Sequence, residues 1–501
     1  MLTADGTYRT RFGPCVRHNG HIYANSPYNL RYGFRRIAAL RFPEHPGRDD
    51  LYLQNQLDFI HANQHFLRLL QLHIAPAFQK YKGWYIEARE HYDDPHPKRD
   101  LRVAAWLQIH ADGEEAKRLW LRKVLYKMKK NEIAKFQKYA RMIADLGVAA
   151  SLQGFRSTDF MKKGMQRPFH YHGGTFQFVS SPKISALRRV FQNLIDPTGT
   201  FYFAYFSDDA CLSIRHRGEI HVFNIDISKC DASHGNQLFA EYVNLAPPRH
   251  RDDFKLLVEQ LNVPMEIRNP LVPSEKVKLR STRTRLLSGS TITTTINNLA
   301  SILIGLAVTQ EFDGTIDSIH RGAANVGYKV TAERCPSYSD IQFLKNSPVY
   351  DTAGRLHPCL NLAVFLRSSG VCRGDLPGSK NQTLQERAQR FQASLIQGMF
   401  PRTHSPFISK LRQSAGNRFL STRDSERLIA PILAYKRETE IDELPVILTD
   451  AELFRRYNLS PLQVAQLNEF AACGCGDFAA NSGLSAVLMK DYDGLQAPVI
   501  P

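Results

Sequence analysis

The stretch from Phe201 to Asp231, FYFAYFSDDACLSIRHRGEIHVFNIDISKCD, gathers four aspartates, and its hydrophobic patterning predicts where they meet. The apolar run Phe201 to Phe206 stops at Ser207-Asp208-Asp209, and a second apolar run covers Ala210 to Ile214, so a tight β-hairpin with acids at its tip is expected. The polar, glycine-containing segment Arg215 to Glu219 then turns the chain into a third strand, Ile220 to Ile225. If that second hairpin folds about Arg217, Asp208 lies opposite Asp226, because the two are equidistant from it. Carboxylates on neighbouring strand ends repel one another unless cations sit between them. Mg²⁺ suits such a pair, since it prefers oxygen ligands and is commonly held by one or two carboxylates plus substrate phosphates, the arrangement of in-line phosphoryl transfer. An isolated Ser-Asp-Asp would be a solvated turn; its placement opposite Asp226-Ile-Ser-Lys-Cys-Asp231 makes it a candidate metal site.

These motifs resemble those of viral RNA-dependent RNA polymerases whose palm motifs occur in permuted order, as in birnaviruses and permutotetraviruses. Asp226 to Asp231 resembles motif A, an Asp, four residues and a second Asp. Ser288-Gly289, followed by Thr293 and Asn297, resembles motif B. The acidic hairpin of motif C ordinarily follows motif B, but here Ser207-Asp208-Asp209 precedes motif A, with Ser in place of the usual Gly. The permutation is physically simple: the last strand of the motif C hairpin lies antiparallel beside the motif A strand, and a short turn joins them.

The resemblance implies a role for each matching residue. Asp226 and Asp208, assisted by Asp209, would bind two Mg²⁺ ions, with Mn²⁺ as a substitute. Asp231 and Asn297 would form a polar network around the ribose hydroxyls, with Ser288, Gly289 and Thr293 beside it; Thr293 and Asn297 are four residues apart and share a helical face. The basic segment preceding the hairpin resembles motif F and offers Arg167 and Lys183 to the triphosphate. Tyr328 to Thr331 resembles motif D, in which Lys329 would act as general acid, with Arg334 as competitor. Ile341 to Lys345 resembles the motif E hairpin that braces the primer strand, placing Lys345 against RNA.

The elements that must position these residues lie on both sides. The 501 residues carry a formal charge of +17 and a pI near 9.5, which implies an anionic partner, most simply nucleic acid. A hydrophobic content of 43% excludes a disordered chain, and eight cysteines without a paired Cys-x-x-Cys array suit reduced thiols rather than a disulfide framework. No uninterrupted apolar run has the length of a membrane span, and the first residues lack a signal peptide's apolar core, so a soluble protein is expected. Leu51 to Ile74 is helical in pattern, as is the strongly basic Lys117 to Arg141, whose Lys127, Lys129 and Lys130 would meet RNA phosphates. Further helices are expected over Ala232 to Leu245, from Thr291 to about Val308, and from a cap at Asp313-Gly-Thr315 to about Gly327.

The expected fold class is therefore α+β, a right hand of fingers, palm and thumb, the palm an antiparallel sheet flanked by helices. Its segments would be an N-terminal extension packed on the fingers (1–115), fingers with the motif F-like segment (116–200), palm with motifs C and A (201–245), a fingers insertion (246–280), palm with motifs B, D and E (281–350), and thumb with a C-terminal segment (351–501). The expected activity is template-directed RNA synthesis by two-metal nucleotidyl transfer to an RNA 3′-hydroxyl, with RNA template and product strand, ribonucleoside triphosphates and viral replication proteins as partners. The expected site of action is the host cytoplasm, with virion association as a further place. A reverse transcriptase or DNA polymerase, and a non-catalytic basic RNA-binding protein with a degenerate palm, are the alternatives.

Overall fold

The structure is a computed structural model that describes residues 7–9, 46–81, 125–129, 142–180, 182–268, 272, 274–279, 283–369, 371–373, 381–429, 444–473 and 480–492. Its centre is a six-stranded sheet built from β1 (Phe169–Tyr171), β2 (Gly174–Phe178), β3 (Phe201–Phe206), β4 (Asp209–His216), β5 (Glu219–Ile227) and β6 (Val330–Arg334). The spatial order is β6-β5-β4-β3-β2-β1. Every neighbouring pair is antiparallel except β2 and β3, which run parallel.

Both faces of this sheet are covered, which explains why β3 reads as an unbroken apolar run rather than an alternating one. On one face Phe176, Phe203, Leu212, Phe223 and Ile225 share a core with α6 (Thr293–Glu311). On the other, Tyr202, Ala204, Cys211 and Val222 meet Leu187, Val190, Phe191 and Leu194 of α4 (Ile184–Ile195). Helix α6 is buried over Thr295 to Val308, as expected of a helix apolar on all sides. Gly305 lets it lie close to the sheet, since a Cβ there would stand 2.9 Å from Phe203 Cε1 and 3.0 Å from Phe176 Cε1.

Several expected elements take a different form. The helical pattern Leu51 to Ile74 resolves into α1 (Pro46–Ala62) and α2 (Gln64–Ile74), separated at Asn63. Helix α1 packs on helices beside the central sheet: Asn55 Nδ2 donates to the Ala324 carbonyl at the end of α7 (Ile316–Asn325), and Gln56 bonds Ser233 and Gly235. The expected helix over Ala232 to Leu245 is interrupted at His234, after a short turn at Cys230–Ser233 and before α5 (Asn236–Leu245). The expected basic helix is corrected where the chain is described. Leu125–Lys129 is a strand, antiparallel to Met142–Asp145 and parallel to Met265–Arg268, so non-local pairing overrides local helix propensity. Lys127 and Lys129 sit on that strand, opposite Ala144 and Met142, while Lys130 lies outside the described residues.

The helix expected after Asp313-Gly-Thr315 holds in outline. The cap reading is realised one step in, with Thr315 as N-cap accepting from the Ser318 N–H, and Gly327 follows α7 with a φ of 78°. Beyond the sheet, the hairpin of β7 (Asn346–Tyr350) and β8 (Leu356–Leu360) straddles the segment boundary drawn at 350, and leads into a second, helical core that includes Phe365, Leu395, Ile408, Leu411 and Leu488. Among the described residues no helix is long and apolar enough to cross a membrane. Cys211, Cys230, Cys335, Cys359 and Cys473 are free thiols.

Candidate active site

Two tight turns bring the acids together. Phe206 pairs with Asp209, so Ser207 and Asp208 alone connect β3 to β4, and Ser207 adopts a φ of 56°. That left-handed backbone is where glycine is ordinarily found. Here a serine is held there by α6: its N–H donates to Asn298 Oδ1 at 2.8 Å, its Oγ accepts from Asn297 Nδ2 at 3.1 Å, and its carbonyl accepts from Ser301 Oγ at 2.5 Å. The second turn is Arg217-Gly218, with φ of 50° and 84°, the signature of a two-residue type I′ hairpin. His216 therefore pairs with Glu219, and Asp209 falls opposite Asp226. The expected pairing of Asp208 with Asp226 is thus corrected by one residue, because the turn is centred between Arg217 and Gly218 rather than on Arg217. Asp208 remains at the tip, exposed, and its carbonyl accepts from the Ile227 N–H at 3.1 Å.

The acids share one electrostatic environment. Burial raises the Asp209 carboxyl from its ordinary range to about 7, Lys345 opposes that rise, and Asp226 and Asp208 reinforce it. The Leu344 N–H donates to Asp209 Oδ2 at 3.3 Å. Leu344 and Lys345 form a turn with φ of 51° and 60°, a conformation that residues other than Gly and Asn rarely adopt, and local strain of this kind concentrates at functional sites. Lys345 also donates to the Asp491 carbonyl at 3.4 Å and stands 4.7 Å from the Tyr492 ring centroid, so the structure places it beside the acids and the C-terminal helix. The buried Cys230 thiol is pushed well up by burial and by the charges of Asp208, Asp231 and Asp226, which locates all these acids around one point.

Beside the acids lies a hydrogen-bonded polar chain. Ser288 Oγ donates to Asp231 Oδ2 at 2.5 Å, and Asn297 Nδ2 donates to Asp231 Oδ1 at 2.9 Å. Gly289 is required next to Ser288: its φ is 102°, and a Cβ would meet the Ala144 carbonyl oxygen at 2.6 Å. Thr293 stands at the start of α6, its hydroxyl donated to the Leu287 carbonyl at 3.3 Å. Two residues to which the sequence reading gives no site role complete the chain. Buried His234 places Nε2 2.7 Å from Asn297 Oδ1 and Nδ1 2.7 Å from the Tyr328 hydroxyl. Its only sequence signal is a histidine before a glycine inside a helical pattern, which more often marks an ordinary core residue.

The remaining expected residues stand further out. Lys329 is exposed at the start of β6, its carbonyl accepting from the Ser228 N–H at 2.8 Å, and it lies 5.7 Å from the Tyr52 ring centroid. Its competitor Arg334 is at the opposite end of β6, donating to the Gly314 carbonyl at 2.7 Å. Arg167 is exposed just past α3 (Val148–Gln166), and Lys183 is exposed at the N-cap of α4. A cavity of about 880 Å³ lined by Arg188, Gln192 and His357 opens elsewhere, and Asp208, Asp209, Asp226 and Asp231 do not line it.

Among the described residues, no group of three or more His, Cys, Asp or Glu side chains is arranged to hold a metal ion by itself. The donor set is a carboxylate pair, Asp209 facing Asp226, with Asp208 at the adjoining tip. All are oxygen donors, and a pair of carboxylates completed by substrate phosphates is the coordination that Mg²⁺ commonly takes.

No family model and no curated protein matches the chain. Among solved structures, it is similar to the RNA polymerase VP1 from Infectious Pancreatic Necrosis Virus, with 12% identity, 76% of this chain and 54% of that chain covered, and a TM-score of 0.42. It is similar also to the birnavirus VP1-VP3 complex, with 12% identity, 68% and 51% covered, and a TM-score of 0.41. The chain spans about half the length of these structures.

Proposed function

We propose that the protein is a viral RNA-dependent RNA polymerase with a permuted palm. The observation that carries this reading is the juxtaposition of the facing pair Asp209 and Asp226 with the Ser288–Asp231–Asn297 hydrogen-bonded cluster, one suited to phosphoryl transfer and the other to a sugar. Asp226 and Asp208, with Asp209 behind them, are the residues that would hold two Mg²⁺ ions, or Mn²⁺ in their place. When bound, such ions supply activation of the RNA 3′-hydroxyl and neutralisation of charge on the α-phosphate and departing pyrophosphate.

The chain's own residues do the rest. The Leu344 N–H donates to Asp209, and the charge of Lys345 favours its ionised form. Asp231 accepts and Asn297 donates toward the ribose hydroxyls, so a deoxyribonucleotide would leave polar groups unpaired and be rejected. Lys329, exposed beside Ser228, is the nearer candidate to give a proton to pyrophosphate, because Arg334 is bonded at the far end of β6. Arg167 and Lys183 would attract the triphosphate, and Lys127, Lys129 and Lys130 the RNA backbone, whose recognition by cations is weakly sequence-specific. The partners are RNA template and product, ribonucleoside triphosphates and viral replication proteins, and the setting is the host cytoplasm or the virion.

Nucleotide incorporation by the purified protein on a defined RNA template, with ribo- and deoxyribonucleotides, tests this reading. Templated incorporation of ribonucleotides is expected. Preference for deoxyribonucleotides would make it a reverse transcriptase or DNA polymerase, and RNA binding without incorporation would make it a basic RNA-binding protein.

A further inference from the structure

The polar cluster at the sugar site does not end at Asn297. Gln56, buried on α1, accepts from the Gly235 N–H at 2.7 Å through Oε1, and its amide nitrogen donates to the Ser233 carbonyl at 3.3 Å. Asn297 turns its nitrogen to the Asp231 carboxylate, which can only accept, so its oxygen faces His234 Nε2 at 2.7 Å and the hydrogen of the neutral ring resides on Nε2. Nδ1 then accepts from the Tyr328 hydroxyl at 2.7 Å. Burial keeps the ring neutral by lowering its pKa to about 4.

One orientation of the Asn297 amide satisfies all of its neighbours. Its oxygen accepts from His234, and its nitrogen donates to Asp231 Oδ1 at 2.9 Å and to Ser207 Oγ at 3.1 Å. Turning the amide over would set its oxygen against the Asp231 carboxylate and its nitrogen against the Nε2 hydrogen, so two bonds would become two repulsions. From this geometry, and resting on the polymerase reading above, we infer that His234 is a positioning residue for sugar selection: it fixes Asn297 with its donor face toward Asp231 and the ribose. A nucleotide 2′-hydroxyl can then donate to Asp231, whose carboxylate Asn297 and Ser288 hold in place. The chain runs from α1 to the tip of the acidic hairpin, because Ser207 receives the second Asn297 hydrogen.

Three variants measured by single-nucleotide incorporation, with a matched pair of ribo- and deoxyribonucleotides, test this. His234→Phe keeps a ring but removes the donor; the ribonucleotide preference is expected to fall about tenfold, the scale of one hydrogen bond, through a loss of kcat/KM for the ribonucleotide alone. His234→Gln keeps an N–H at the position of Nε2 and should restore most of that preference. If His234→Phe retains the wild-type ratio, loses both sugars equally, or is not rescued by Gln, the inference is overturned. If His234→Phe does not fold, Tyr328→Phe, which releases the ring's tautomer, is read in the same way: a lowered ratio supports the inference and an unchanged one overturns it. Wild-type protein that incorporates neither sugar, or shows no preference, removes the polymerase reading and the inference with it, whereas an active, selective wild type with indifferent variants removes the inference alone.

Discussion

Two aspartates in this protein, Asp491 and Asp209, are satisfied in opposite ways. Asp491, at the end of the helix Ser482–Asp491, is fully enclosed, and both its oxygens are occupied from within. Oδ1 accepts from Arg456 Nε at 2.8 Å; Oδ2 accepts from the Tyr457 hydroxyl at 2.9 Å and the Ala363 N–H at 3.0 Å. Arg456 in turn reaches the Asp340 carbonyl at 2.8 Å, fastening the C-terminal helices to the chain that follows β6. Asp209 receives one long bond from Leu344 and the field of Lys345, while Asp226 and Asp208 oppose its ionisation. A carboxylate matched by a protein cation serves as an anchor. Acids crowded against one another are held in readiness for a cation from solution, and that surplus of like charge distinguishes the proposed site from the anchor.

The comparison is broken most severely by removing one member of each set. Asp226→Ala and Asp208→Asn are each expected to lower nucleotide incorporation by on the order of 10³-fold or more, with stability kept within about 1 kcal/mol, because repulsion rather than packing is lost. Near-normal incorporation by folded Asp226→Ala protein would sink the permuted-site assignment. Asp491→Ala should behave in the reverse manner: it strands Arg456 as a buried charge, so a loss of about 3–5 kcal/mol is expected in denaturant unfolding. A small stability change there would show that the anchor carries little.

Two smaller effects sharpen the contrast within the site. His234 is neutral when folded, its pKa lowered by burial to about 4, while an unfolded histidine titrates near 6.5. The unfolded chain therefore binds more protons between these values. Stability is full above about pH 6.5 and declines as pH falls toward 4, by at most about 3 kcal/mol for this group. His234→Gln should flatten that acid limb in urea titrations at several pH values. Asp231→Ala and Asn297→Ala are expected to narrow the ribonucleotide preference by about 10- to 100-fold while the metal requirement persists. Equal losses for both sugars would assign these residues to structure alone.

The strands β3, β4 and β5, the acids at their ends and helix α6 were legible in the sequence because each is encoded by local pattern. The register differs by one residue from the one a symmetrical polar turn over Arg215 to Glu219 implies, since Arg217-Gly218 alone makes the bend. The basic segment failed for a different reason: Leu125–Lys129 takes its conformation from strands at Met142 and Met265, one of them remote in sequence. His234, Tyr328 and Gln56 were invisible for the same physical cause, since nothing local to any of them reveals the other two. Ser207 stands where the resembled motif usually has glycine, and its three bonds to α6 show how a serine is kept at positive φ.

The two two-residue turns have a consequence for the order in which the molecule assembles. They place Asp208, Asp209 and Asp226 in one continuous meander, whose contacts close short loops and need no distant segment. The bonds from Gln56 to Gly235 and from Asn297 to Ser207 join remote parts of the chain and close only when α1 and α6 dock. Folding would thus create the acidic pair early and the sugar-reading chain late, and a protein interrupted between those events would hold its acids without discrimination. Pulse-labelled hydrogen exchange would reveal it as protection of the Ala210 and Phe223 amides before that of Gly235, and simultaneous protection would refute that order.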